Sequence, residues 1–276
     1  MPVTDADVEQ WLREDLGHHD VTNDVPGETT GRLVAKQPGV VAGLDAAVQV
    51  FEYLGCEADA LAAAGDRVDA GDAVLAVEGD AQSVLRAERV AVNVAGHASG
   101  VATKTRRAVD AAREESGDVT VAATRKTTPG LRGVEKRAVV AGGGDTHRLD
   151  LSHMVMVKDN HVAELGLEGA VERFRATKSF ATKLEVEVEA PEDAPRAAEA
   201  GADVVLLDNM TPAETGRAVD RLRERGADLD RAVLAEASGG ITVETVPDYA
   251  ATGVDVVSMG SLTHSAASLD YSFRTG

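Results

Sequence analysis

Residues 184–209 read LEVEVEAPEDAPRAAEAGADVVLLDN. They open with a short alternating run, Leu184 to Glu189, and pass through a small-residue helical pattern, PEDAPRAAEAGA, in which Gly201 can cap the helix. An apolar run from Asp203 to Leu207 follows, and Asp208 and Asn209 stand at its end. Strand, helix and strand in this order make a parallel crossover unit.

The unit repeats on either side. Further strands are expected at Val119 to Thr124, Met154 to Val157, Val233 to Ala237 and Asp255 to Met259, and a second helical pattern runs from Thr211 to Gly226. Polar or glycine residues recur where strands end: Arg125 and Lys126, Lys158 and Asp159, Asp208 and Asn209, Ser238 to Gly240, and Gly260 with Ser261. In an α/β barrel those ends gather on one face and build the active site, with phosphate commonly held after the last two strands. A doubly wound open sheet usually carries a Gly-x-Gly-x-x-Gly turn or a Walker loop, and neither occurs here. The expected fold class is therefore α/β, a TIM-like barrel.

Upstream of about residue 104 the pattern differs. Short alternating runs in RLVAKQPGVVAG (32–43) and AAGDRVDAGDAVLAVEGDA (63–81) are broken by Gly-Asp and Asp-Ala-Gly turns, as in a small sandwich of the lipoyl-carrier or hammerhead type. A carrier would present a lysine at a hairpin tip, and no lysine lies between Gly39 and Thr103. From about Ser83 to Glu115 the periodicity is helical, with Gly96, Ala98, Ser99 and Gly100 allowing another element to approach closely. The expected domains are a sandwich over 1–104 and a catalytic barrel over 105–262.

The 276 residues carry a formal net charge of -19, yet residues 124–161 hold seven Lys/Arg against four Asp/Glu. Such a basic island in an acidic chain implies an anionic ligand. Arg125, Lys126, His147, Arg148 and Lys158 can surround a small polyanion, with arginine forks for carboxylate or phosphate. Arg132, Lys136 and Arg137 divide evenly between site and scaffold, since Glu135 can neutralise a neighbour. Carboxylates are scattered and arginine outnumbers lysine, which suits a surface adapted to high salt. Aromatics are 3% and positive charge is confined to one stretch, which argues against nucleic acid. The single cysteine, Cys56, excludes an internal disulfide or a Cys-rich cluster and reads as structural. No apolar run reaches membrane-spanning length and the N-terminal stretch is acidic, so no membrane association and a cytoplasmic location are expected.

Glu185, Glu187 and Glu189 alternate along one strand and share a face, and Asp208 ends the next. Acids so placed repel unless a cation or hydroxyls lie between them, or the strand lies at a solvated edge. Mg²⁺ suits Glu187 with Asp208, leaving other positions to phosphate and water. Glycine-rich turns in EASGGI and VVSMGSL expose backbone N–H groups that can ring a phosphate, with Ser238 adding a hydroxyl.

The strings LREDLGHHDVT, ERVAVNVAGHASGVATKT, TRKTTPGLRGVEKRAVVAGGGDTHR, VKDNH, LEVEVEA, LLDNM, EASGGI and TGVDVVSMGSLTHSAASLDYSF together resemble the quinolinate phosphoribosyltransferases, a type II phosphoribosyltransferase family. The likeness covers nearly the whole chain, in family order. It implies an incomplete α/β barrel, a sandwich completed by residues 263–276, and a homodimer or hexamer of dimers with shared sites. The implied reaction takes quinolinate and phosphoribosyl pyrophosphate, with Mg²⁺, to nicotinate mononucleotide, pyrophosphate and CO₂ in NAD biosynthesis. It assigns Arg125, Lys126, His147, Arg148 and Lys158 to the dicarboxylate pocket, with Arg89 from a neighbouring subunit. Glu187 and Asp208 fall near metal and ribose, with Lys126 beside them as the expected catalytic set, and Ser238, Gly239, Gly240 and Gly260 around the 5'-phosphate. Ala123, Thr146 and His19 depart from the family pattern and bear on how the arginines are oriented. The alternatives are a relative acting on nicotinate or another acid, and a non-catalytic binding homologue.

Overall fold

The protein is described by a computed structural model covering residues 2–226, 228–229 and 231–276. Its elements run α1 (Asp5–Leu16), β1 (Glu28–Ala35), β2 (Gly39–Val40), α2 (Leu44–Tyr53), β3 (Glu57–Ala60), β4 (Arg67–Val68), β5 (Ala73–Asp80), α3 (Ala81–Glu115) and β6 (Thr120–Ala122). Then come α4 (Arg132–Ala141), β7 (Val155–Val157), α5 (Asp159–Leu165), α6 (Leu167–Thr177), β8 (Leu184–Val188), α7 (Ala194–Ala200), β9 (Val204–Asp208) and α8 (Pro212–Gly226). The chain ends with β10 (Leu234–Ser238), α9 (Val246–Ala250), β11 (Val256–Ser258), α10 (Ser261–His264) and β12 (Tyr271–Thr275). Two compact units result: residues up to Arg106 with Thr127–Gly144 and Leu262–Gly276, and Arg107–Lys126 with Asp145–Ser261.

The first unit is built on an antiparallel sheet in the order β12-β1-β5-β3. Leu33, Leu75, Val50, Phe51 and Tyr271 fill its core, with Cys56 buried among them. Thr4 and Asp7 form a capping box that starts α1. The small-residue face of α3 receives the C-terminal segment: Leu269 N donates to Gly96 O at 2.9 Å, and Ser99 Oγ lies 2.9 Å from the Tyr271 hydroxyl. A Cβ added at Gly100 would stand 2.1 Å from Ala267 O, so only glycine fits.

Residues 127–144, assigned by sequence to the barrel, belong to this first unit. Buried Glu135 accepts from His97 Nε2 at 2.9 Å and from Thr128 N at 3.1 Å, and Arg137 reaches Asp45 at 3.3 Å. Arg132 donates to Thr127 Oγ1 at 3.0 Å. Glu135 thus serves a histidine and a backbone amide, and Arg132 and Arg137 make contacts within the first unit.

The second unit contains six parallel strands in the order β6-β11-β10-β9-β8-β7. The first strand lies beside the last and the second forms the far edge, so the barrel is incomplete, opening between β6 and β7. Beyond β6, among the described residues, the sheet gains a single bridge, Ala122 to Asp145. Val121, Val157, Val186, Val205, Leu207, Ala235, Ala237 and Val257 are all buried, forming the face that meets the helices. The alternate residues form the other face, in rows set by the strand register. Glu187, Leu206, Glu236, Val256 and Thr120 occupy one row, and Asp208, Ser238, Ser258 and Ala122 the next toward the strand ends.

Candidate active site

A cavity of about 280 Å³ opens at the C-terminal ends of these strands. Arg125 and Lys126 follow β6, Lys158 follows β7, Glu187 lies on β8, Asp208 ends β9 and Ser238 ends β10; all six line it, with His147 and Arg148 from the bridge segment. Eight residues expected from sequence thus surround one space. Gly239 and Gly240 continue directly from Ser238 with φ of 100° and 62°. Gly239 has no room for a side chain, since its Cβ would meet Asn209 Oδ1 at 2.3 Å. Gly260 stands two residues beyond β11. Arg89 is on α3 in the first unit, 3.8 Å from Glu88 and 59% exposed at its side chain.

Charge is arranged in two levels. At the rim, Lys158 Nζ donates to Glu187 Oε2, and Asn209, held at φ 56°, donates to Asp208 Oδ2 at 2.6 Å. Burial and the Glu189 charge raise the Asp208 pKa above the usual carboxylate range, against the opposing pull of Lys158. Glu189 itself is exposed. The acids of β8 therefore run from buried Glu185 to solvent, and β8 lies between β7 and β9 rather than at an edge.

At the floor, His147 Nε2 is 3.2 Å from Glu236 Oε2 and 3.7 Å from Glu185 Oε2. Burial alone would lower the His147 pKa, but the two carboxylates facing the ring, Glu185 in near contact and Glu236 hydrogen-bonded, outweigh it and raise it to about 10. Arg148 packs its guanidinium against Met156 Sδ at 2.8 Å, and burial lowers its pKa against the pull of Glu185. Sequence did not single out Glu236, although a charge in the middle of a strand buried on both faces is itself a signal. Thr124, Met156 and Ser258 also line the cavity without having been expected.

Residues 101–274 match the family described as Quinolinate phosphoribosyl transferase, C-terminal domain, and residues 20–99 match its N-terminal domain. The chain belongs to the quinolinate phosphoribosyltransferase family. It is 44% identical to the probable nicotinate-nucleotide pyrophosphorylase (carboxylating) of Methanothermobacter thermautotrophicus over 272 residues, covering 97% of each chain. Against the human nicotinate-nucleotide pyrophosphorylase (carboxylating), identity is 42% over 99% of this chain and 92% of the other. Among solved structures, NadC from Streptococcus pyogenes superposes with a TM-score of 0.90 at 37% identity, over 100% of this chain and 99% of that one. Members of the quinolinate phosphoribosyltransferase family thus share both the barrel and the first unit with this protein. No helix among the described residues is long and apolar enough to cross a membrane.

Proposed function

We propose that this chain is a quinolinate phosphoribosyltransferase, converting quinolinate and phosphoribosyl pyrophosphate to nicotinate mononucleotide, pyrophosphate and CO₂ for NAD biosynthesis. One observation carries the assignment: Arg125, Lys126, His147, Arg148 and Lys158 line a single cavity opposite Glu187 and Asp208, in a chain of this family. A dianionic substrate and a pyrophosphate leaving group both demand cations, and the arginines offer paired donors to carboxylates.

Within this reading Lys126, Arg125, His147, Arg148 and Lys158 bind the pyridine dicarboxylate. Glu187 and Asp208 stabilise the cationic character that develops at the ribose anomeric carbon, as carboxylates do in glycoside chemistry. Ser238, Gly239, Gly240 and Gly260 take the 5'-phosphate. Transfer makes the ring nitrogen cationic. The neighbouring C–C bond then breaks, CO₂ departs, and the electron pair left on the ring carbon is stabilised by that nitrogen until a proton takes it.

Mg²⁺ suits Glu187 and Asp208, two hard oxygen donors at a cavity mouth, and Asp208, whose carboxylate burial disfavours as an anion, gains most from a cation beside it. When bound there it would offset charge on the departing pyrophosphate. Arg89 is exposed and lies outside the cavity lining, which favours its delivery to a second protomer's site in a homodimer or hexamer of dimers.

Purified protein at high salt with quinolinate, phosphoribosyl pyrophosphate and Mg²⁺ should release CO₂ and form nicotinate mononucleotide. Turnover of nicotinate but not quinolinate would overturn the assignment. Mixing inactive Arg89→Ala with inactive Lys126→Ala should restore part of the activity, and no recovery with exchanging subunits would refute the shared site.

A further inference from the structure

Glu236 lines the floor of the cavity and Glu185 is sealed close to it beneath the lining, and the chemistry above uses neither. Glu185 and Glu236 are 0% and 2% exposed, and among the described residues neither Glu185 oxygen nor Glu236 Oε1 has a hydrogen-bond donor. Two buried carboxylates persist this close when a neighbouring cation balances their charge or one of them takes up a proton. His147 faces both, from the gap between β6 and β7. The other charged groups near it are Arg148 and Asp145 on its own segment, with Asp145 Oδ1 accepting from His147 N at 2.6 Å, and His153 and Lys183 line the adjoining cavity with it. Arg125 at the end of β6 and Glu187 on β8 act on Arg148 beside it.

Two further observations indicate that the carboxylates set where the ring sits. His147 has φ of 51°, a left-handed conformation that a non-glycine residue keeps only when its surroundings enforce it. Behind the cluster, toward the strand N-termini, lies a second cavity of about 520 Å³, which His147, Arg148 and Glu236 line as well. His147 therefore borders two cavities, and the run Gly142–Gly144 shortly before it supplies little stiffness.

We propose that Glu236 and Glu185 are positioning residues that hold His147 as an imidazolium on the cavity floor, and with it the adjoining Arg148. The substrate carboxylates then meet a cation whose charge is constant across neutral pH. The substrate in this inference rests on the proposed function; the state of the histidine does not.

The isosteric variants Glu236→Gln and Glu185→Gln test it. His147 ring resonances, assigned through His147→Gln, should keep their charged-state shifts from pH 6 to 8.5 in the native protein. In Glu236→Gln the midpoint should fall by about three units, to about 7, close to the ordinary value of about 6.5. A native His147 titrating near that ordinary value overturns the proposal whatever the enzyme acts on. In kinetics, Glu236→Gln should acquire a loss of quinolinate kcat/KM above pH 7, reaching about tenfold at pH 8. The KM for phosphoribosyl pyrophosphate should stay within about twofold, and Glu236→Asp should recover part of the loss. A pH profile parallel to the native one, with both KM values raised together, would mean a merely structural role and overturn the proposal. Should Glu236→Gln fail to fold, Glu185→Gln carries the same titration. Absence of quinolinate turnover in the native protein refutes the assigned function and leaves the titration to judge His147.

Discussion

Glu135 in the first unit and Glu185 in the second are both fully buried carboxylates, kept in opposite ways. Glu135 accepts from an imidazole and a backbone amide, and although burial opposes it, those bonds hold its pKa below the usual range. Glu185 has no hydrogen-bond donor on either oxygen among the described residues, and burial and Glu236 push its pKa up. Arg148 Nε beside it is likewise unpartnered. Buried polar groups are nearly always bonded, so those left short mark where a ligand or a function is served. The first unit uses buried charge to hold itself together; the second keeps it available.

Four experiments probe that contrast, in descending order of effect. Arg148→Ala and Lys126→Ala should each lower kcat/KM for quinolinate at least about a hundredfold, with Tm little changed; near-native kinetics in either would remove that residue from the site. Gly100→Ala should do the reverse, destabilising the first unit by about 1–3 kcal/mol in denaturant titrations through overpacking against Ala267, with normal turnover by the folded fraction. Glu135→Ala strands His97 and the Thr128 amide and should cost about 2 kcal/mol; an unchanged unfolding midpoint would show that its bonds hold nothing. The mildest change is Asp20→Asn, which removes the carboxylate bound by Arg86 Nε at 2.8 Å and by the Thr22 and Asn23 amides. Those bonds, Arg86 foremost, hold the Asp20 pKa well below the usual range. Its contribution is therefore present at neutral pH and fades as pH falls below about 4, so variant and native melting curves should converge in acid.

The barrel was legible because strands buried on both faces read as short apolar runs, and because the residues that begin each loop gather at one rim. The rim of the site followed directly: Arg125, Lys158, Asp208 and Ser238 each stand at or just beyond a strand end. The floor did not follow. Nothing in the alternation of β8 says that Glu185 is sealed while Glu189 meets solvent, since that depends on the neighbouring strands and on a segment entering through the gap. The sequence also presents residues 124–161 as one basic island, yet α4 and its charges fold with the first unit. Neighbours in the chain thus fall into different units, and the cations that line the cavity are Arg125, Lys126 and Lys158 after strand ends with His147 and Arg148 of the bridge segment.

The antiparallel pairing of β12 with β1 bears on how the molecule is made. Its partner emerges from the ribosome early, and everything from Lys36 to Asp270 must be synthesised before β12 appears. At ordinary elongation rates this leaves one side of β1 unpaired for roughly 10–50 s, a template for association between nascent chains. All six barrel strands precede β12, so the barrel can assemble during that interval. The sheet that β1 begins is completed only after the barrel strands have been made, and a chain without residues 271–275 would carry an open edge for its whole lifetime.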